Sequence, residues 1–161
     1  MDYNKLAQML FPDVKNSPEY YEEKFPYRKL PAKAQVTRMA PSPTGFIHLG
    51  NLYSALADER IAHRHGGVFY LRIEDTDEKR KVDGAVELII DTLRYFEIEF
   101  DEGAGFPDDA PQNIYGPYFQ RQRVEIYHAY AKSLVEKGLA YPCFCTEEEL
   151  ESVRQKQEEN K

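Results

Sequence analysis

Arg38, Ser42, Thr44, His48 and Asn51 share one short stretch of the chain with Gly45 and Gly50. A β-like run, Ala34 to Met39, passes through the turn Pro41-Ser42-Pro43-Thr44-Gly45 and opens an amphipathic helical pattern near Asn51. A strand that feeds a helix through a glycine-containing loop leaves unpaired N–H groups and the positive end of the helix dipole facing the loop. Phosphate is the natural occupant of such a place. His48 and Asn51 add side-chain donors, while Gly45 and Gly50 lack a Cβ and let a flat group such as a base approach the backbone. No Gly-Lys-Ser/Thr follows, and the dinucleotide fingerprint is absent, so neither of those phosphate cradles is meant. The same residues also suit a Pro-rich turn whose histidine caps the helix.

Other reactive types stand elsewhere. Arg38 falls at the C-terminal end of its strand, where open α/β sheets place ligands, and its planar fork suits a carboxylate. Each charge-assisted hydrogen bond there is worth about 1.5–3 kcal/mol. Glu74-Asp75-Thr76-Asp77 closes the second predicted strand, so Glu74 and Asp75 are expected in the same crevice. The run also reads as an ordinary polar strand exit or a divalent-ion site. Cys143 and Cys145 share a strand face two residues apart, a spacing that opposes a disulfide between them and leaves reduced thiols or half of a metal site. His63, His65 and His128 fall on helices without partner spacing and are assigned no role.

The elements that must position these groups follow from hydrophobic period. Leu6, Met9 and Leu10 repeat at helical spacing, and Ser17-Pro18-Glu19 reads as N-cap, first position and acidic first turn. Tyr20, Tyr21, Phe25 and Tyr27 give that second helix a side expected to lie against the domain, or to dock another chain. Leu52, Ala55, Leu56, Ile61 and Ala62 predict a helix ended by Gly66-Gly67; Val68 to Asp75 reads as a buried parallel strand. Ala85, Leu88, Ile89, Leu93 and Phe96 predict a further helix over 83–96. Residues 98–118 read as loop, and 120–137 as a helix lined by Val124, Tyr127, Ala131, Leu134 and Val135. Leu139 to Phe144 is expected as a short strand, and Thr146-Glu147-Glu148-Glu149 is a capping box opening a last, charged helix. Strand, helix, strand, helix is the doubly wound α/β pattern.

The 161 residues suffice for one core with an appendage, and 42% hydrophobic and 13% aromatic residues exclude a disordered chain. No apolar run is long enough to span a bilayer and no secretory pattern opens the sequence, so a cytoplasmic protein without membrane contact is expected. The formal charge of -7 is the wrong sign for gripping nucleic acid over the whole surface.

Ala40-Pro41-Ser42-Pro43-Thr44-Gly45-x-x-His48-x-Gly50 resembles the first signature of class I aminoacyl-tRNA synthetases, in its glutamyl-tRNA synthetase form. Arg72-Ile73-Glu74-Asp75-Thr76-Asp77 is a second match in the expected order. The resemblance covers about 36–161 and leaves 1–35 as a helical extension. It departs from the pattern in Asn51, at the last place of the signature tetrad, and in lacking the lysine-containing second signature. What it implies is a Rossmann-type parallel sheet flanked by helices. ATP would lie along Pro41, Ser42, Pro43, Thr44, Gly45, His48, Gly50 and Asn51, with His48 at the phosphates as the catalytic group and Gly50 near adenine. Arg38, Ala40 and Ser42 would surround the amino acid, Glu74 would hold its α-amino group, and Asp77 and Arg80 would lie near the tRNA acceptor end. Gln120-Arg121-Gln122-Arg123 could face tRNA or substrate, or mark a solvated helix start. Tyr141-Pro142-Cys143-x-Cys145 resembles the start of a zinc site whose other ligands come later, so zinc is not expected in this stretch.

The expected activity is ATP-dependent activation of L-glutamate, with Mg²⁺, and its transfer to tRNA by a monomeric enzyme. The 161 residues would be the first part of its catalytic domain and turn over nothing alone. Alternatives are a glutamyl-queuosine tRNA synthetase, a small-molecule adenylyltransferase and a non-catalytic paralogue that binds a protein. The glutaminyl enzymes are disfavoured, since their signature resembles Pro-Pro-Glu-Pro-Asn-Gly.

Overall fold

The computed structural model of the chain describes residues 2–159. Two short helices come first, α1 (Tyr3–Leu10) and α2 (Pro18–Lys24). Asp2 caps α1. The Ser17 hydroxyl accepts from Tyr20 N at 3.4 Å with Pro18 in the first turn, as the local sequence predicts. Then follow β1 (Val36–Met39), α3 (Leu49–His63), β2 (Val68–Leu71), α4 (Ala85–Tyr95), β3 (Glu102–Gly103), α5 (Val124–Glu136) and α6 (Glu147–Glu159). The sheet has the order β1-β2-β3, all parallel, with Arg38 opposite Tyr70 and Leu71 opposite Gly103.

Side chains alternate across a strand, which sorts the sheet into two faces. Met39, Phe69, Leu71 and Ile73 are buried and pack with Ala55 and Ala62 of α3 and Ile89, Ile90 and Leu93 of α4. Complete burial of each large member is worth about 1.5–3 kcal/mol, so this layer is the main source of stability. Thr37 shares the face and donates its hydroxyl to Asp58 O at 2.8 Å. Val36, Arg38, Tyr70, Arg72 and Glu74 belong to the opposite face, where Val36, Tyr70 and Arg72 meet Phe25, Arg28 and Tyr118 around a cavity of about 260 Å³.

Several expectations need correcting. The segment 98–118 contains β3, two residues without a hydrophobic run. Gly103 has φ +131°, and a Cβ there would lie 2.2 Å from Leu71 O, so only glycine lets β3 approach β2. Buried Asn113 braces it, accepting from Gly103 N at 2.9 Å and donating to Gly103 O and Pro107 O at 3.2 and 3.0 Å. Residues 139–144 form no strand and pair with none, and their β-formers Leu139, Tyr141 and Phe144 stay exposed. On α3 the buried positions are Ala55, Glu59 and Ala62, while Leu56 and Ile61 are exposed; on α4 Ile90 is buried rather than Leu88 or Phe96. On α5, Ala129 and Val135 are buried, whereas Val124, Tyr127 and Leu134 are exposed. Residues 120–123 form a 3₁₀ turn ahead of α5.

The N-terminal segment does lie against the domain, but of the expected side only Tyr21 is buried and Phe25 half-buried, while Tyr20 and Tyr27 are exposed. Both α1 and α2 pack on α5, Phe11 meets the His128 ring at 5.5 Å, and Lys132 Nζ donates to Val14 O at 3.2 Å. Arg28 reaches further, clasping Glu102 with both terminal nitrogens while its guanidinium stacks 3.7 Å from the Tyr115 ring centre.

Candidate functional site: a crevice at the exits of β1 and β2

Beyond Met39 and Leu71 the two strand exits stay laced by backbone hydrogen bonds. Arg72 N donates to Met39 O, Glu74 N to Pro41 O and Val82 N to Pro43 O, each at 3.0 Å. Proline has no N–H to offer, but its carbonyl is a full acceptor, so Pro41 and Pro43 continue the ladder on one side only. Both rings are buried, which pins the loop while Ser42 stays exposed and Ala40 half-buried. Thr44 N closes a tight turn onto Ser42 O at 2.8 Å, and Gly45 follows at φ +144°, a conformation that favours glycine.

His48 stands at the N-cap position of α3, yet its side chain makes no cap hydrogen bond and is exposed. The capping role open to it in sequence is not the one it fills. Among the described residues the N–H groups of Leu49 and Gly50 have no acceptor, so the helix start presents free donors. A Cβ on Gly50 would meet no atom within 4 Å; the space in front of it is open. Asn51 is exposed beside it, its N–H used by His48 O at 2.9 Å.

Glu74 lies between two arginines. Arg72 Nη2 donates to Glu74 Oε1 at 2.9 Å, and Arg38 Nη1 stands 3.8 Å from the same oxygen. No described residue bonds to Oε2. Arg38 is more exposed than Arg72, with 38% against 18% of the side chain accessible, so Arg38 is the guanidinium a ligand can reach.

Asp75 does not share this crevice. Its carboxylate turns away to accept from Arg121 N at 3.0 Å, capping the turn before α5, because successive residues of an extended chain point to opposite sides. Asp77 caps the short turn Glu78–Arg80 and takes the Arg80 Nε at 2.6 Å; this hydrogen bond holds the Asp77 carboxyl below its usual range. These two residues engage each other rather than the Arg38–Glu74 pair. The basic run likewise divides, with Arg121 pairing with Glu78 while Arg123 donates inward to Tyr115 O and Pro117 O. Cys143 and Cys145 are free, exposed thiols, and the hydrogen bond with Cys143 pushes the Cys145 thiol up. The described residues contain no group of three or more His, Cys, Asp or Glu side chains suited to a metal ion.

Arg72 opens the second signature match but carries no role of its own in the sequence analysis, although its spacing of two from Glu74 already puts both on one face. A further contact lies away from the crevice. His63, assigned no role, lies between Glu59 Oε1 at 3.2 Å and Asp101 Oδ2 at 2.9 Å. The Glu59 spacing of four was visible in the sequence, and the Asp101 contact was not.

Residues 35–161 match the family model for the catalytic domain of class I tRNA synthetases (E and Q). The glutamate–tRNA ligase of Acetivibrio thermocellus is 63% identical over 158 residues, and that of Clostridium perfringens strain 13 is 52% identical over 157. Each alignment takes in 98% of this chain but 29% of the relative, so the chain spans under a third of their length. The crystal structure of a glutamate tRNA ligase from Elizabethkingia meningosepticum in complex with its amino acid superposes with a TM-score of 0.64 at 41% identity, covering 80% of this chain and 24% of that one. The parallel sheet, the proline-pinned loop and a match over most of the sequence agree, and the chain belongs to the class I tRNA synthetase (E and Q) catalytic-domain family.

Proposed function

We propose that the chain is the N-terminal part of a glutamate–tRNA ligase, which joins L-glutamate to ATP as glutamyl-adenylate and passes the acyl group to tRNA. The observation that carries this reading is the nearness of Arg38 and Glu74, 3.8 Å apart at the exits of β1 and β2, with a helix start bearing free N–H groups following β1 in the chain. Arg38 supplies a cation for the side-chain carboxylate, and Glu74 Oε2 supplies an acceptor for the α-ammonium. Ala40 and Ser42 border the same place. The names of the relatives point the same way.

In activation the α-carboxylate oxygen attacks the α-phosphorus of ATP, and the bond to pyrophosphate breaks. The chain forms no covalent bond. Its work is to hold the reactants in line and to meet the charge that builds on phosphorus. The N–H groups of Leu49 and Gly50 and the His48 ring would meet the phosphates, and the flat base would lie at Gly50; the unpaired donors, the exposed ring and the open space there support this. Pro41, Pro43, Thr44, Gly45 and Asn51 shape the rest of the loop. Mg²⁺ keeps much of its water and binds phosphate oxygens with one or two carboxylates. With Glu74 bound to arginine the crevice offers no dedicated cage, so Mg²⁺ would be held mainly by the triphosphate. Cys143 and Cys145 are two ligands short of a tetrahedral zinc site and enter no step. Asp77, Arg80 and exposed Arg121 are the candidates for contact with the tRNA acceptor end.

The test is tRNA-dependent ATP–pyrophosphate exchange by the full-length protein with glutamate and, separately, glutamine. Glutamate-dependent exchange is expected, and His48→Ala should lower kcat by about 100-fold with little change in KM for glutamate. Exchange driven equally by glutamine, or unaffected by the substitution, would overturn the assignment.

A further inference from the structure

The site contains its own competitor. Arg38 and Glu74 carry opposite charges on one face, 3.8 Å apart at the nearest atoms, and a small rotation of either would join them directly. A direct pair would remove the cation meant for a substrate carboxylate and the carboxylate meant for a substrate ammonium together. What stands between them and that outcome is Arg72, which already bonds Glu74 Oε1 at 2.9 Å.

We propose that Arg72 is a positioning residue that holds Glu74 off Arg38 and leaves Oε2 open for the substrate's α-ammonium. This rests on the reading of the crevice as an amino-acid site. Three observations support it. Arg72 is the more buried of the two arginines, and a guanidinium withdrawn from water needs a carboxylate close by. The neighbouring carboxylate on that face, Glu102, is not available to it, being taken by both terminal nitrogens of Arg28 and by the Tyr118 hydroxyl at 2.6 Å. Arg72 N and Glu74 N are bonded to Met39 O and Pro41 O, so the backbone that carries this pair is tied to the strand exit that carries Arg38. Arg72 acts through Glu74 and touches no reacting atom.

Two measurements on the full-length protein test the proposal. Crystal structures of the parent and of Arg72→Gln should show the Arg38–Glu74 separation closing from 3.8 Å to a direct ion pair of about 2.8 Å. In pyrophosphate exchange Arg72→Gln should raise KM for glutamate about tenfold with kcat and KM for ATP changed less than about twofold, and Arg72→Lys should recover most of the loss. Glu74 keeping its place in Arg72→Gln, or KM for ATP rising as much as KM for glutamate, would overturn it. If the parent shows no glutamate-dependent exchange, the functional reading fails, and the pair of structures still decides whether Arg72 holds the two charges apart.

Discussion

Arg28 and Glu102, 74 residues apart in sequence, form the clasp that joins the N-terminal segment to the far strand of the sheet. Glu102 is buried and also accepts from the Tyr118 hydroxyl. Burial alone would lower the Arg28 pKa, but hydrogen bonds and charge pairing with Glu102 outweigh it and leave the pKa raised. Burial, then the bond to Glu102, pushes the Tyr118 phenol well above its usual range. Tyr115 completes the clasp by donating to Pro26 O at 2.9 Å.

Removing one side of such a pair strands the other in a low-dielectric setting. Arg28→Ala is expected to cost about 3 kcal/mol, because Glu102 keeps only a phenol partner. Replacing both, as Arg28→Met with Glu102→Leu, should recover most of it. Urea midpoints of the two variants decide this, and equal losses would show that the clasp acts by shape rather than charge.

Gly103 and Gly50 should respond oppositely to a methyl group. Gly103→Ala drives a Cβ into Leu71 O at a φ that L residues rarely adopt, for a loss of about 2–3 kcal/mol or failure to fold. Gly50→Ala enters open space in a helix and should be neutral or stabilising by up to about 1 kcal/mol. Calorimetric titration of the full-length protein with ATP should nevertheless show weaker binding in Gly50→Ala, since the methyl occupies the place assigned to the base.

His63 links stability to pH. Burial opposes its charge, but hydrogen bonds and charge pairing with Asp101 and then Glu59 raise its pKa above the ordinary 6.5. Its contribution is therefore fully present below the unfolded value and is lost as pH rises through the raised folded value. Arg60 Nε stands 3.2 Å from the other Glu59 oxygen, an ion contact without a hydrogen bond. Urea midpoints of the parent should fall from pH 6 toward pH 8, and His63→Gln should flatten that slope.

The capping box at the last helix is local. Thr146 N donates to Glu149 Oε2 at 2.8 Å and Glu149 N to Thr146 Oγ1 at 3.2 Å, while α6 buries none of its described residues. Thr146→Ala should cost the helix about 1 kcal/mol and lower far-ultraviolet helicity, without moving the urea midpoint of the core. A shift of the core transition would mean that α6 is coupled to the sheet.

The features that sequence alone determined are those whose partners lie within a few residues. Ser17-Pro18, the Thr146–Glu149 box and Gly66 at φ +70° after α3 each follow from hydrogen bonds or backbone freedom that the local chain settles by itself. The strand–loop–helix around Ser42 to Asn51 was legible for the same reason, and so was the parallel pairing of two β-former runs separated by a helix. Tertiary structure decided the rest. Strand β3 exists because Leu71 and Asn113 receive Gly103, a relation that no pattern in Glu102-Gly103 announces. Glu59 is buried on a face that Leu56 and Ile61 were expected to share, because small Ala55 and Ala62 set the approach of α3 to the sheet. Asp75 turns to the 3₁₀ turn ahead of α5, and Glu74 bonds Arg72 just past β2 while standing 3.8 Å from Arg38 of β1. Residue types supply the charges, but which charges meet is set by strand register and chain crossing, and these are fixed only when the whole sheet packs.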